Sequence, residues 1–592
     1  MMPRGMKRPR QNFSKVPRCS CRGLPLLVCA ISIFGCGEND GSTGIDKSRT
    51  GAGEKRGVVG TARPLFVDVT DEIGIPSEQT PWPDGQFFTP EITAGGVAVF
   101  DYDQDGDLDI YQVRHPAPNE FEQALKTPAP NRLYRQQPDG SFIDATIEAG
   151  VGDPGFGYGA AVGDVDNDGD PDLFVTNYGP DALYINNGDG SFRRATSESG
   201  VVVDGWSSAA AFLDYDRDGD LDLYVTRFAR FDPGRQCKTT QGELEYCGPD
   251  MFDGMTDVLF ENLGNGQFSD VSKKAGIDKA TRGWGLVCAD LTGDGWIDVY
   301  VANDEEPNLL WVNRGDGTFQ NEAVVRGVAV NGLGRVEAGM GVVAGDISGD
   351  GQLELFITHF AGETNTLYAT SAANQYRDAS ARSMLGAASL PFTGWGCGFL
   401  DYDHDGDLDL ALVNGRVKRG RVLPGANLSP FWNQYAEPNQ VFENNGQGKF
   451  RNVSAQAGGF SQRVGNSRGL ALGDLDNDGD IDFAVNGIGN SLRVFRNQAP
   501  PQDHRWLIVR VVTRGRDALG ALVRLKMSDR EQVRVAHSAY SYLSSSDPRA
   551  HFGLGSTGVL EHIEVRWPDG SVERFDAPKT NRVVELVQGA GD

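Results

Sequence analysis

The sequence predicts an all-β protein assembled from repeated small sheets, and three observations predict it. Glycine accounts for 77 of 592 residues without the three-residue period of a collagen-like chain, so the polypeptide is rich in tight turns. An acidic nonapeptide recurs seven times, starting at Asp101, Asp164, Asp214, Asp290, Asp346, Asp401 and Asp474, at intervals of 50 to 76 residues. Around each copy the same order of elements returns, which makes the repeat a folding unit rather than an isolated motif.

Each unit opens with a small-residue apolar run, as in Gly95-Gly96-Val97-Ala98-Val99-Phe100. The acidic loop follows, and then an alternating strand such as Leu221-Asp222-Leu223-Tyr224-Val225-Thr226. A third strand (Ala182-Leu183-Tyr184-Ile185-Asn186) turns at Asn187-Gly188-Asp189-Gly190 into a last strand that begins with Phe192. Four short strands joined by Asn-, Asp- and Gly-rich hairpins make one antiparallel sheet, and a row of such sheets describes propeller blades.

The last-strand aromatic occurs at Phe142, Phe192, Phe268, Phe319, Tyr376 and Phe450, six copies for seven loops. The missing copy stands at the amino end, in Phe66-Val67-Asp68-Val69-Thr70, while the seventh unit stops at Val494-Phe495-Arg496-Asn497. Residues 65–70 are therefore expected to complete the last sheet and remove its free edge. The fold expected is a seven-bladed β-propeller over 62–500 closed by an N-terminal strand, with eight blades the alternative. A small β-domain over 503–592 follows it. The long intervals contain insertions at 228–256 and 416–437.

Five loops read D-x-D-x-D-G-D-x-D. Their candidate metal ligands are Asp101, Asp103, Asp105 and Asp109; Asp164, Asp166, Asp168 and Asp172; Asp214, Asp216, Asp218 and Asp222; Asp401, Asp403, Asp405 and Asp409; and Asp474, Asp476, Asp478 and Asp482. Calcium takes six to eight hard oxygen ligands, and a sharp turn at the invariant sixth-position glycine lets the carboxylates converge. An EF-hand needs Glu at position 12 and flanking helices; here that position is Gln112, Val175, Val225, Leu412 and Val485, inside strands. Without a cation, so many carboxylates in nine residues would repel one another. Two loops are depleted, with Asp290, Thr292, Asp294 and Asp298 in one, and Asp346, Ser348, Asp350 and Glu354 in the other. Both are expected to bind more weakly, giving about seven Ca²⁺ per chain.

The charge agrees with missing cations. The total is −27; residues 1–36 carry +7 and residues 503–592 carry +1, so the stretch between them holds −35. Such a body repels nucleic acid and anionic membrane surfaces. Seven Ca²⁺ would add fourteen positive charges without any basic partner.

Residues 1–36 read as an export signal: seven basic residues precede an apolar run from Leu24 to Phe34, too short to span a bilayer. The run ends Ile33-Phe34-Gly35-Cys36 before a polar spacer, which resembles the lipobox of bacterial lipoproteins; an ordinary secretory signal is the alternative. Residues 37–61 read as a flexible linker. The expected location is the bacterial cell envelope, as a lipoprotein lipidated on Cys36, or outside the cell, with membrane contact only through the lipid. Cys237 and Cys247 lie ten apart in one insertion and suit a local disulfide, while Cys288 and Cys397 suit buried core thiols.

The repeats resemble FG-GAP/VCBS repeats, the blade type of the integrin α head, over roughly residues 60–500. The carboxy-terminal stretch is similar to the ASPIC/UnbV domain, through Trp506-Leu507-Ile508-Val509, Ser544-Ser545-Ser546-Asp547, His551-Phe552-Gly553-Leu554-Gly555 and Val565-Arg566-Trp567-Pro568-Asp569-Gly570. The pair in this order resembles the cartilage acidic protein family. Members usually carry Asn-Arg-x-Ala-Ile-Gly where this chain has Gly515-Arg516-Asp517-Ala518-Leu519-Gly520. The resemblance implies calcium binding and an extracellular interaction role, with a protein or carbohydrate partner that it does not name.

Catalysis has little support in the residues. Ser545, Asp547 and His551 match a triad in composition, but triad members normally converge from separate elements. No histidine pair has zinc-protease spacing, and no P-loop or dinucleotide fingerprint occurs in a strand-to-helix setting. A non-catalytic adhesion or scaffold module is expected; the alternative is a polysaccharide lyase or hydrolase that uses the propeller channel. Trp284, Trp395 and Tyr158, six residues before their loops, suit either the channel wall or packing between blades. The insertion 416–437, basic and aromatic (Arg416, Lys418, Arg419, Arg421, Phe431, Trp432, Tyr435), is the expected partner-facing loop.

Overall fold

The computed structural model describes residues 63–76, 85, 87–115, 131–371, 375–489, 491–501 and 503–592. The signal-like segment with Cys36 and the linker 37–61 lie outside them. Among the described residues no helix is long and apolar enough to cross a membrane.

Seven antiparallel four-stranded units form, numbered here by the acidic loop each contains. In sheet 2 the strands are Phe156–Gly163, Asp172–Tyr178, Ala182–Asn186 and Phe192–Arg194. Each acidic loop joins the first strand of its sheet to the second, so position 9 of the loop opens the second strand. Sheet 7 draws its outer strand from the amino end: Phe66–Asp68 pairs antiparallel with Arg493–Asn497, Phe66 opposite Asn497. The first strands touch in the cyclic order 1, 2, 3, 4, 5, 6, 7 and back to 1, a propeller-like arrangement around a central channel. These strands are buried along their whole length except at Phe399 of sheet 6. Glycine is required where they crowd: a Cβ on Gly96 would stand 2.1 Å from the Leu543 carbonyl oxygen and 2.7 Å from that of Tyr158.

An asparagine at the end of the third strand ties neighbouring sheets together. Asn186, Asn262, Asn313, Asn444 and Asn497 each donate through Nδ2 to a loop carbonyl of the preceding sheet (Tyr102, Val165, Tyr215, Ile347 and Tyr402) at 2.7–2.9 Å. In sheet 5 the hydroxyl of Tyr376 makes the equivalent bond to Leu291.

The carboxy-terminal region forms two further sheets. One contains Arg505–Thr513, Arg516–Asp517, Ala550–Gly555 and Val583–Val587; the other contains Leu522–Met527, Glu531–Val535, Leu560–Arg566 and Val572–Asp576. They enclose a core that includes Leu507, Val523, Phe552, Ile563 and Trp567.

This region is not an appendage. Between Val535 and Ala550 the chain leaves its own sheets and enters the channel of the seven-sheet body. Ser541 exchanges backbone hydrogen bonds with Val342 of sheet 5, at 2.9 and 2.7 Å. Leu543 accepts from the Ala160 N–H of sheet 2, Ser545 bridges to Ala98 of sheet 1, and Asp547 donates to Leu472 of sheet 7. At the tip Tyr542 is fully buried, its ring 4.8 Å from that of Trp395 and 5.9 Å from that of Trp284, and its hydroxyl donates to the Thr93 carbonyl at 2.6 Å. Trp284 and Trp395 therefore line the channel and pack against this plug, and Trp284 also meets Trp206 beside sheet 3 at 5.9 Å, so for Trp284 both readings hold.

The insertions meet at the channel mouth opposite the acidic loops. Cys237 and Cys247 are joined by a disulfide. Arg419 of the second insertion pairs with Glu243 and Glu245 of the first. Trp432 and Tyr435 are buried, so the aromatics of 416–437 anchor the insertion; its exposed part includes Lys418, Arg421 and Val422. Cys288 and Cys397 are buried thiols.

Candidate metal centres

The seven loops share one backbone path. Position 4 is left-handed in each: Gln104, Asn167, Arg217, Gly293, Gly349, His404 and Asn477 all lie between φ +57° and +71°. Position 6 is glycine at φ +82° to +99°, a conformation costly for a residue with a Cβ. Its N–H returns to the first aspartate, as from Gly106 to Asp101 at 3.0 Å and from Gly406 to Asp401 at 2.8 Å. The carboxylates at positions 1, 3 and 5 are thereby turned inward.

Position 9 does more than offer a ligand. Asp172 accepts the N–H of Val165 through one oxygen and that of Asn186 through the other, at 2.8 and 2.7 Å. Asp109, Asp222, Asp298, Asp409 and Asp482 repeat this bridge from the loop to the third strand. Sequence spacing could not separate this strut from a metal ligand, since both need a carboxylate.

Ligand atoms from three aspartates lie within 4.8 Å of one another in all five full loops. The sets are Asp101, Asp103 and Asp109; Asp164, Asp166 and Asp172; Asp214, Asp216 and Asp218; Asp401, Asp403 and Asp409; and Asp474, Asp476 and Asp478. Asp105, Asp168 and Asp405, and likewise Asp222 and Asp482, stand outside these triplets while belonging to the same loops. The depleted loops form no such triplet among the described residues. In loop 5 the hydroxyls of Ser348 and Thr370 donate to Glu354, whose other oxygen accepts the Ile347 N–H.

Whether these sites suit a cation is tested by their unmet acceptors. Buried carboxylate oxygens without any hydrogen-bond partner occur on Asp101 and Asp103, on Asp166, on Asp214, on Asp401 and Asp403, and on Asp476, at least one in every full loop. A buried anion left this way costs several kcal/mol unless a cation or proton meets it, and carboxylate oxygens in a flexible loop match calcium better than softer metals. The residues fit the ion. Bound there, it would neutralise the carboxylates and cross-link the two ends of the loop.

The electrostatics of the loops' own carboxylates agree. Burial, reinforced by Asp103 and Asp105, holds Asp101 up to about 6. Burial and the neighbouring aspartates lift Asp474 to about 7 and Asp401 to about 8, and burial lifts Asp109 to about 9 against two backbone N–H donors. A carboxyl whose folded pKa lies above its unfolded value near 3.8 favours the fold when protonated. That contribution is present at low pH and lost as pH climbs through the window from about 4 to 9. Calcium-free protein is thus expected to melt at a lower temperature at pH 8 than at pH 5.5, with calcium raising the melting point more at pH 8. A calcium effect that shrinks as pH rises would contradict this.

Five of the seven loops clasp the next one; loops 4 and 5 have Gly293 and Gly349 at position 4, with no side chain to do so. Position 4 reaches position 7 of the next loop: Gln104 donates to Asp170 and Asn167 to Asp220, both at 2.6 Å, and Arg217 lies 3.7 Å over the Trp296 ring. His404 Nε2 stands 3.4 Å from Asp480, and Asn477 reaches back to Asp107 of loop 1 at 2.7 Å. The sequence hid this belt because its members share only a left-handed backbone, not a chemical type.

The carboxy-terminal region sits on the same loops. Arg516 donates to the Gly219 carbonyl and to Asn167, Arg514 to the Asp218 carbonyl, and His504 to the Asp403 carbonyl. The Gly553 N–H donates to Asp401 at 2.9 Å. The triad-like residues are used here and are not brought together: Ser545 is buried in the plug, Asp547 is bound to Arg549, and His551 Nε2 to the Gly479 carbonyl at 3.0 Å. No hydrogen bond links the three.

The repeated acidic loops of this propeller-like body coincide with FG-GAP-like repeats, which are found in five stretches of the chain. The chain matches the FG-GAP-like repeat at 124–175, 164–225, 251–301, 290–357 and 431–485, and the ASPIC and UnbV family at 512–592. It is 27% identical to cartilage acidic protein 1 of Homo sapiens over 335 residues, covering 54% of this chain and 46% of that protein. The match to the Xenopus tropicalis protein is similar, 27% over 329 residues, with 53% and 46% covered. The chain thus spans about half the length of these curated relatives. Among solved structures, a rhamnogalacturonan lyase, YesW, aligns over 69% of this chain and 72% of its own at 15% identity and a TM-score of 0.34, too loose a likeness to speak for chemistry.

Proposed function

We propose that the protein is an exported, non-catalytic binding module: a closed seven-bladed propeller whose full loops hold calcium and whose channel is sealed by its own carboxy-terminal domain. One observation carries this. The plug and the domain occupy the channel and the acidic face, leaving the opposite mouth, where both insertions meet around a cavity of about 310 Å³. Phe360, Lys418, Glu305 and Asp250 are among its lining. Loops on a rigid scaffold are the usual seat of recognition, and a mixed charged and apolar lining suits an extracellular protein or a carbohydrate. A plugged channel offers no through-passage for a polymer, and among the described residues Ser545, Asp547 and His551 have separate surroundings rather than one another.

The test is binding to glycan and protein arrays in calcium, run beside a polysaccharide cleavage screen. A ligand lost on Lys418→Glu and Glu305→Arg, without turnover of any polysaccharide, is the expected result. Turnover abolished by one side-chain change in the channel would overturn the non-catalytic reading. Fractionation of the Cys36→Ala protein tests the lipid anchor, which predicts its loss from membranes.

A further inference from the structure

We infer that the cation of loop 4 is the guanidinium of Arg566, supplied by the carboxy-terminal domain, and that this loop is a docking socket rather than a calcium site. The inference rests on the calcium reading of the five full loops and concerns where that pattern is broken. Loop 4 has Thr292 at position 3 and Trp296 at position 7, so it carries two carboxylates fewer than a full loop. The side chain of Asp290, at position 1, is almost fully buried, and Arg566 Nη2 donates to its Oδ2. The same oxygen accepts the N–H of Gly295 at 3.0 Å, and Oδ1 accepts that of Asp294 at 3.0 Å.

Three features make this a built socket. Arg566 ends a strand held in register on both sides, opposite Leu522 and Val572, so the side chain is aimed by a sheet and not by a mobile loop. Its Nη1 lies beside the turn glycine, 3.9 Å from where a Cβ on Gly295 would stand. The accounting of acceptors also differs: each full loop leaves a buried carboxylate oxygen unmet, whereas Asp290, Asp294 and Asp298 leave none among the described residues. A planar guanidinium is the side chain best suited to replace a metal at a carboxylate, because it keeps its charge and donates along fixed directions. A divalent ion in the same loop would be repelled by it.

Terbium tests this in the full chain. Trp296 stands at position 7 of loop 4, so tryptophan-sensitised terbium emission reports that loop. Trp506, which packs against Gly479 of loop 7, is first replaced by Phe to remove its contribution. The expected result is no loop 4 emission while Arg566 is present, and its appearance in Arg566→Gln together with one more calcium per chain by native mass spectrometry. Arg566→Lys, which keeps a charge, should restore the unloaded state. Emission from loop 4 with Arg566 intact would overturn the inference, as would an unchanged ion count in Arg566→Gln while the other loops remain loaded. A chain with no calcium in any loop would instead overturn the calcium reading itself.

Discussion

Stripping calcium with a chelator is expected to lower the melting temperature by a wide margin, and to unfold the carboxy-terminal domain in the same transition. A site filled at a hundredfold excess over its Kd stabilises the fold by about 2.7 kcal/mol. Extracellular calcium modules bind more weakly, and about 1–2 kcal/mol per loop is a reasonable scale at millimolar calcium. Five such contributions, even partly additive, rival the ~5–15 kcal/mol net stability of an ordinary domain. From the sequence alone the stretch 503–592, which has no acidic loop, is expected to ignore the metal. The structure reverses that expectation, because the domain's seat is the loops themselves: Arg516 on Gly219, His504 on Asp403, and the Gly553 and Gly555 N–H groups on Asp401 and His404. A loop that loses its cation loses the shape these partners read. Calorimetry with and without chelator, followed by near-ultraviolet dichroism of Trp567 in the domain core, checks this. A domain signal that melts unchanged in chelator would refute the coupling. Within the loops, Asp478→Ala should cost more than Thr292→Ala, since the first removes a member of a converged carboxylate set and the second a hydroxyl.

What could be read from the sequence follows from how local each constraint is. Metal loops are legible because their ligands come from nine consecutive residues and must alternate with a turn glycine, so chemistry is written directly as spacing. The pairing of Phe66–Asp68 with Arg493–Asn497 was legible by counting, since one outer strand was missing and one stood unclaimed. The contacts between sheets were not. Asn186 looks like a turn residue, and only the fold shows its amide reaching Tyr102, 84 residues earlier. The belt from position 4 to position 7 uses Gln, Asn, Arg and His interchangeably, which leaves no pattern to find. Ser545, Asp547 and His551 match a triad in composition only, which their spacing already argued against; the burial of Ser545 and His551 and the separate partners of Asp547 and His551 show a segment built to be enclosed. Arg566 was visible only as part of a family motif, because its partner Asp290 lies 276 residues away.

The second large effect is expected from the plug. Tyr542→Ala should destabilise the protein by about 3–5 kcal/mol, the range for deleting a buried aromatic side chain, because it opens a void between Trp284 and Trp395. Tyr542→Phe keeps the ring and loses only the hydrogen bond to the Thr93 carbonyl, so about 1–3 kcal/mol is expected, the cost of a buried acceptor left alone. Cutting the chain after residue 501 is more severe. The N–H groups of Val342, Ala160, Cys397 and Leu472 lose the partners that Ser541, Leu543 and Ser546 give them, and the channel faces of Trp284 and Trp395 are bared to water. The seven sheets contact one another mainly around this channel, so the plug acts on all of them at once. It bonds to sheets 1, 2, 5, 6 and 7 through one short stretch. Urea unfolding of the point variants and limited proteolysis of the truncated chain are the measurements. A truncated propeller that stays soluble and melts with the full-length protein would show that the ring needs no plug, and the domain would then be a passenger on the loops rather than part of the fold.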